Sequence, residues 1–253
     1  MGSHLGAIGF PNDPDVPLEA LVRRVVDAGH QLGESIDGKV RLVAYDDASG
    51  SRTTVVLERD GIVCLTPSFR PGSRLSVRVG SLAPNDCPFE RPLLVDVYGD
   101  DGADCYPLAL QLDDLALGAD RYPAGSRAVV EVVALAEGIE VFADEEAHRA
   151  SGTPMGARSL IPSGTFAVPG SPDEADFVVS PRILMRGVVT SCDLRHHALL
   201  GGAFVRMTVS SHCADYEVLV QASDLADASG NVVLPPPGSI VSGQFWLSGR
   251  LNA

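Results

Sequence analysis

Lysine is almost missing from this chain of 253 residues: Lys39 is the single one, and the other 18 basic residues are arginines. That bias, with many alanines and glycines, resembles the coding habit of a GC-rich bacterial genome more than a physical demand. Tryptophan is as rare, with Trp246 alone. No run of about 18 apolar residues occurs, so a membrane-spanning helix is not expected. The start lacks a charged segment followed by an apolar one, so no signal peptide is expected; "MGSH" reads as a cloning remnant, which sets His4 aside. The five cysteines (64, 87, 105, 192, 213) are odd in number, widely spread and never in a CxxC pair. Reduced thiols in a cytoplasmic protein follow from that pattern. The net charge of -14 argues against unspecific attraction to nucleic acid or an anionic membrane. All of it falls on residues 1–180, because 181–253 hold five arginines against five acids.

What is present reads as globular and mainly β (α+β). With 45% apolar and 21% charged residues the chain has material for two compact domains. "PLEALVRRVVDAGHQLG" (17–33) carries apolar residues at helical spacing and predicts one amphipathic helix; "DEEAHRA" (144–150) predicts a short second one. Alternation predicts strands near 39–46, 52–59, 61–66, 73–80, 92–98, 105–112, 127–135 and 138–143, with "AEG" as the last turn. A Gly-Ser turn feeds a strand three times, in "PGSRLSVRV" (71), "AGSRAVVEV" (124) and "PGSIVSGQF" (237), which hints at similar corners. "PSGTFAVPGSPDEAD" (162–176) is rich in Pro, Gly, Ser and acid. It places a linker at 166–178 between an acidic β-rich domain, 1–165, and a second domain, 179–253.

In that second domain, 182–192 is a strand interrupted by Gly187, 203–211 and 215–221 form a hairpin, "SDLADAS" is a short helix or turn, and 239–251 closes. This order resembles an OB-fold barrel over residues 180–251, which implies a five-stranded barrel and a binding role. The chain as a whole resembles bacterial proteins in a way that implies no activity.

Three motifs invite chemistry and fail on physical grounds. "GESIDGKV" (33–40) matches G-x-x-x-x-G-K, but Val40 stands where a hydroxyl must reach magnesium, and the loop runs from helix to strand rather than strand to helix. Cys192, His196, His197, His212 and Cys213 could meet at one barrel end. Yet His212 and Cys213 are sequence neighbours and would face opposite ways on a strand, so no metal is expected; solvated histidines and buried thiols are. The acid pairs Asp46–Asp47, Asp100–Asp101, Asp113–Asp114 and Glu145–Glu146 sit mostly in turns, as solvated turn formers. No G-x-S-x-G or HExxH occurs, and no cofactor is expected.

Counting faces gives the candidate site. On the last strand Val241, Phe245 and Leu247 share one side, so Trp246 and Arg250 share the other. The same period turns Ile183, Met185, Val205, Met207, Tyr216 and Val218 inward. It turns Arg182, Arg186, Phe204 and Arg206 outward. These six residues, Trp246, Arg250, Phe204, Arg206, Arg186 and Arg182, are the expected binding or interdomain surface. Docking on the acidic first domain is one use of it; gripping an unknown protein or small ligand is another. The leading function is thus a non-catalytic binding or interaction module. One alternative is a hydrolase or metal-dependent enzyme using turn carboxylates or the Cys/His group; another is single-stranded nucleic-acid binding by the barrel.

Overall fold

The computed structural model describes residues 4–35, 38–59, 61–99, 102–167 and 177–252. Strand prevails, as the alternation predicts, and the described residues form two sheets with two α-helices. Helix α1 (Leu18–Ala28) follows Pro17 and buries Leu21, Val22 and Val25. It ends at Ala28 with Gly29 as its cap, the earlier of the two glycines in 17–33 that suit a helix end, and His30 opens a strand. Gly29 passes so close to the strand holding Ala44 that a Cβ there would sit 2.8 Å from the Ala44 carbonyl oxygen. Strands β1 (His30–Glu34), β2 (Val40–Asp46), β3 (Ser51–Glu58) and β4 (Gly61–Phe69) then form an antiparallel sheet in chain order.

The other nine strands share one sheet that closes on itself twice. Strands β5 (Ser73–Leu82), β6 (Leu93–Tyr98) and β7 (Asp104–Leu112) form an antiparallel meander. Strand β8 (Arg127–Phe142) pairs with β5. Helix α2 (Glu145–Ala150), capped by the Asp144 carboxylate accepting from Ala147 N, lies where it is predicted. A short strand that the sequence did not announce, β9 (Ser159–Ile161), follows. Strands β10 (Arg182–His196), β11 (Ala203–Ser210) and β12 (Asp215–Gln221) form the second meander, and β13 (Ile240–Asn252) ends the chain.

Strands β8 and β13 pair antiparallel along their length and belong to both rings. In the first ring β7 runs parallel to β13, and β8 returns to β5. In the second, β12 runs parallel to β8, and β13 returns to β10. Strand β5 holds residues 127–132 of one β8 edge and β12 holds 133–135 of the same edge, so the rings stand end to end. Their interiors merge into one core containing Val77, Val95, Leu108, Val132, Ile183, Met207, Val218 and Phe245. The Tyr106 and Tyr216 hydroxyls, 2.7 Å apart, satisfy each other inside it.

Two expectations change here. The strands predicted at 127–135 and 138–143 are one, and "AEG" is no turn: Glu137 is an extra residue between the pairs Phe245–Ala136 and Gln244–Gly138. Residues 179–253 do not close a barrel by themselves, because they supply four sides of a ring whose fifth is β8. Residues 168–176, most of the expected linker, and the Asp100–Asp101 pair lie outside the described residues.

Two of the three Gly-Ser turns are equivalent corners. Gly125 N donates to Val79 O at 2.7 Å while Val79 N donates to Ser126 O at 2.8 Å; Gly238 N donates to Val189 O at 2.8 Å while Val189 N donates to Ser239 O at 2.9 Å. Both glycines have left-handed φ, +83° and +97°, which other residues rarely adopt. The third copy, at 71, instead opens β5. Counting from the two corners, Ala134 and Leu247 are equivalent positions of β8 and β13, and they face each other across the ladder. Trp246 then stands where the other half has Val133, and Ser248 where it has Leu135.

The N-terminal segment covers the outer side of this centre. Ile8, Phe10, Leu21, Val25, Val55 and Phe69 bury Val133, Leu135, Phe204 and Leu219. The opposite face of the small sheet, with Leu42, Val56 and Cys64, packs on Ala116 and on the loop holding Cys87 and Phe89. No helix among the described residues is long and apolar enough to cross a membrane.

Candidate functional site

Strand register brings three of the six expected residues together. Arg182 lies opposite Trp246, Leu184 opposite Gln244, and Arg186 opposite Ser242, all on the outer side of β10 and β13. The bulge decides the chemistry between them. Glu137, pushed out of the β8 ladder, accepts from Arg182 Nε at 2.9 Å and Nη2 at 3.1 Å, and from Gln244 Nε2 at 2.8 Å. Burial alone would raise the Glu137 carboxyl, but the hydrogen bonds and charge of Arg182, helped by His4, hold it below the usual range.

Trp246 is half-buried. Its Nε1 donates to Gln111 Oε1 at 2.7 Å, and the Arg182 guanidinium lies 5.6 Å from its ring centre. Beside the ring opens a cleft of about 510 Å³. Its walls come from β4 (Leu65, Pro67), the β5–β6 loop (Asn85, Glu90, Pro92) and the segment entering β10 (Val178–Arg182).

The other three expected residues lie apart. Phe204 does face outward from its barrel, but it is fully buried, edge-on to Phe69. Arg206 donates to both Glu217 oxygens at 2.8 Å, and Arg250 lies 3.1 Å from Glu131. The Cys/His group does not assemble: Cys213 and His196 are exposed, His212 tilts against Tyr106, and no group of three or more metal-ligating side chains occurs among the described residues.

His197, expected in solvent, is buried, and so is His148. His148 packs edge-on to Phe142, and His197 stacks on Tyr45 with Nδ1 3.2 Å from Asp47. Asp47 is also not a solvated turn residue. It accepts from Ser49 N, Ala198 N and the Tyr45 hydroxyl, pinning the β2–β3 turn to the loop after β10. Burial opposes its ionisation, but these bonds and His197 hold its pKa at about 2.

Asp113 and Asp114, read from the sequence as solvated, are buried where the small sheet meets the end of β7. Asp113 lies 3.1 Å from Arg52 Nε and accepts from Ser68 Oγ at 3.1 Å. Burial raises its pKa, Arg52 opposes, and Asp114 adds to the rise, leaving it at about 7. A folded-state pKa above the unfolded one means that folding binds a proton, so this group's contribution to stability is full below about 4 and is lost as pH rises to about 7. His197, pushed down chiefly by burial, acts in the opposite sense below its ordinary pKa. Comparison with Asp113→Asn isolates the acid. In urea unfolding the variant is expected to match the parent near pH 3.5, to exceed it modestly at pH 5 and to exceed it most at pH 8; a gap between the midpoints that does not widen from pH 3.5 to pH 8 would refute the buried acid.

Comparison with protein-family models, with curated proteins and with solved structures returned no match.

Proposed function

We propose that the protein is a non-catalytic binding module working through the outer face of β10 and β13, with Trp246 at its centre. The observation that carries this reading is the cleft beside Trp246, whose ring is already fixed by Gln111 on one side and Arg182 on the other. A site held in shape before binding loses little side-chain freedom when it is filled. An OB-like reading of each ring is supported by its strand order, a three-strand meander closed by two further strands, one of them parallel to the third. Such barrels commonly bind on their outer surface. The arginine beside Trp246 is matched by a carboxylate, Arg182 by Glu137, so it offers little counter-charge to a phosphate backbone. Glu90 adds a negative charge to the cleft wall. These features favour a neutral or cationic ligand with a flat apolar group, presented by a small molecule or a protein partner.

The single tryptophan reports on its own site. We expect that neutral heteroaromatic fragments or amidated short peptides will quench Trp246 emission and shift the backbone amides of residues 85–92 and 178–182. Trp246→Leu keeps an apolar wall but removes the ring, and should weaken such ligands by up to about tenfold, the scale of one aromatic contact. Binders that shift amides elsewhere and leave both signals unmoved would reject this site.

A further inference from the structure

Four of the five arginines in residues 181–253 lie within ion-pair distance of a carboxylate: Arg182, Arg195, Arg206 and Arg250. Arg186 is the exception among the described residues. Its Nε donates to Ser242 Oγ at 3.0 Å, and its Nη1 is buried without a partner. A half-buried guanidinium with no counter-ion is unfavourable, and an anion of matching shape relieves it. Arg186 forms part of the wall of a second cavity on the same face, about 260 Å³, separate from the cleft beside Trp246. Ile139, Met155 and Leu184 give this cavity apolar walls, and Ser242 and Glu140 give it polar ones.

We infer that this cavity is a binding site for a monocarboxylate with a branched aliphatic or thioether body. The planar guanidinium suits a carboxylate; Nε is taken by Ser242 and Nη1 is covered, so the acid meets the guanidinium first at its open Nη2. The methionine wall adapts to an apolar body of uneven shape. Glu140 lines the same space, so a second negative charge on the ligand is repelled, and inorganic phosphate is disfavoured. The carboxylate can belong to a free short-chain acid or to the terminus of a peptide ending in leucine or methionine. This site is independent of the Trp246 cleft, and either can fail alone.

The test uses the full chain and four probes: 4-methylpentanoate, an acetylated tripeptide ending in leucine as free acid, the same tripeptide as amide, and inorganic phosphate. Calorimetry and amide shifts should show saturable binding of at least one free acid, with shifts at residues 184–186 and 242–244. The amide and phosphate should not compete. Tighter binding of the free tripeptide acid identifies a chain terminus as the source; tighter binding of 4-methylpentanoate identifies a small acid. Arg186→Gln should weaken binding by about tenfold or more, the scale of a charge-assisted pair. Arg186→Lys should be intermediate, and Glu140→Gln should bind more tightly. Should Arg186→Gln fail to fold, the lysine variant and Met155→Ala, which trims the apolar wall, read the same site. The inference is overturned if neither acid binds saturably, if Arg186→Gln leaves affinity unchanged, or if phosphate binds as well as the acids. Weaker binding by Glu140→Gln overturns it too.

Discussion

Phe204→Ala is expected to destabilise the protein by about 3–5 kcal/mol, the range for emptying a buried phenylalanine site. Phe204 has no exposed surface, although it points away from its own barrel. Phe69 stands edge-on at 6.4 Å, and a Cβ added at Gly9 would come within 3.1 Å of its ring. The side chain therefore fills the seam between the second ring and the N-terminal layer. Truncating it leaves a void that neither sheet can close, since β11 is fixed by β10 and β12. Trp246→Ala removes a larger side chain yet should cost less, because part of the indole already faces the cleft. Urea unfolding followed by circular dichroism orders the two variants. A Phe204→Ala loss below about 1 kcal/mol would mean that the seam is loose and the layer not docked as described.

The contrast between these two aromatics shows how far a sequence reaches. Period-two alternation assigned the outer side to both, and the register agrees for each. Alternation says which face a residue is on, not what covers that face. Phe204 lies under α1 and the small sheet, and Trp246 lies at the edge of that cover. The helix end at Ala28 and the strand at 30–34 depend on pairing with β2, the next strand, which a helical reading of 29–33 leaves out of account. Buried Asp47 and Asp113 were hidden for the same reason, since a turn is solvated only if nothing packs on it. One signal of the bulge is legible in the sequence. Between 127 and 142 the inward residues are Val130, Val132, Ala134 and Ala136, after which Ile139 packs on the core from an odd position. A change of phase inside an unbroken apolar pattern marks a bulge, and it points to Glu137, the residue that anchors Arg182. The repeated Gly-Ser turns were also visible, but two equivalent corners and a strand start look alike until their hydrogen bonds are seen.

A protein cleaved at a protease site engineered between residues 167 and 177 is expected to run as one species in gel filtration, and residues 177–253 expressed alone are expected not to fold. Strands β10, β11, β12 and β13 give four sides of the second ring, and β8 gives the fifth. Without β8, the edges of β12 and β13 lose their hydrogen-bond partners, and Val130, Val132, Ala134 and Ala136 leave the shared core. Losing the two valines alone removes about 3–6 kcal/mol, a large share of the roughly 5–15 kcal/mol by which a domain is stable, before the bare strand edges are counted. Strand edges left bare also invite self-association. The cleaved protein keeps every one of these contacts, so its halves should separate only in denaturant. A fusion that places residues 124–143 after the fragment should restore dispersed amide signals, because β13 and β8 can then pair within one chain. If the fragment alone gives sharp, dispersed signals and a cooperative unfolding transition, residues 179–253 are a self-sufficient barrel, and the shared strands join two finished domains rather than completing one.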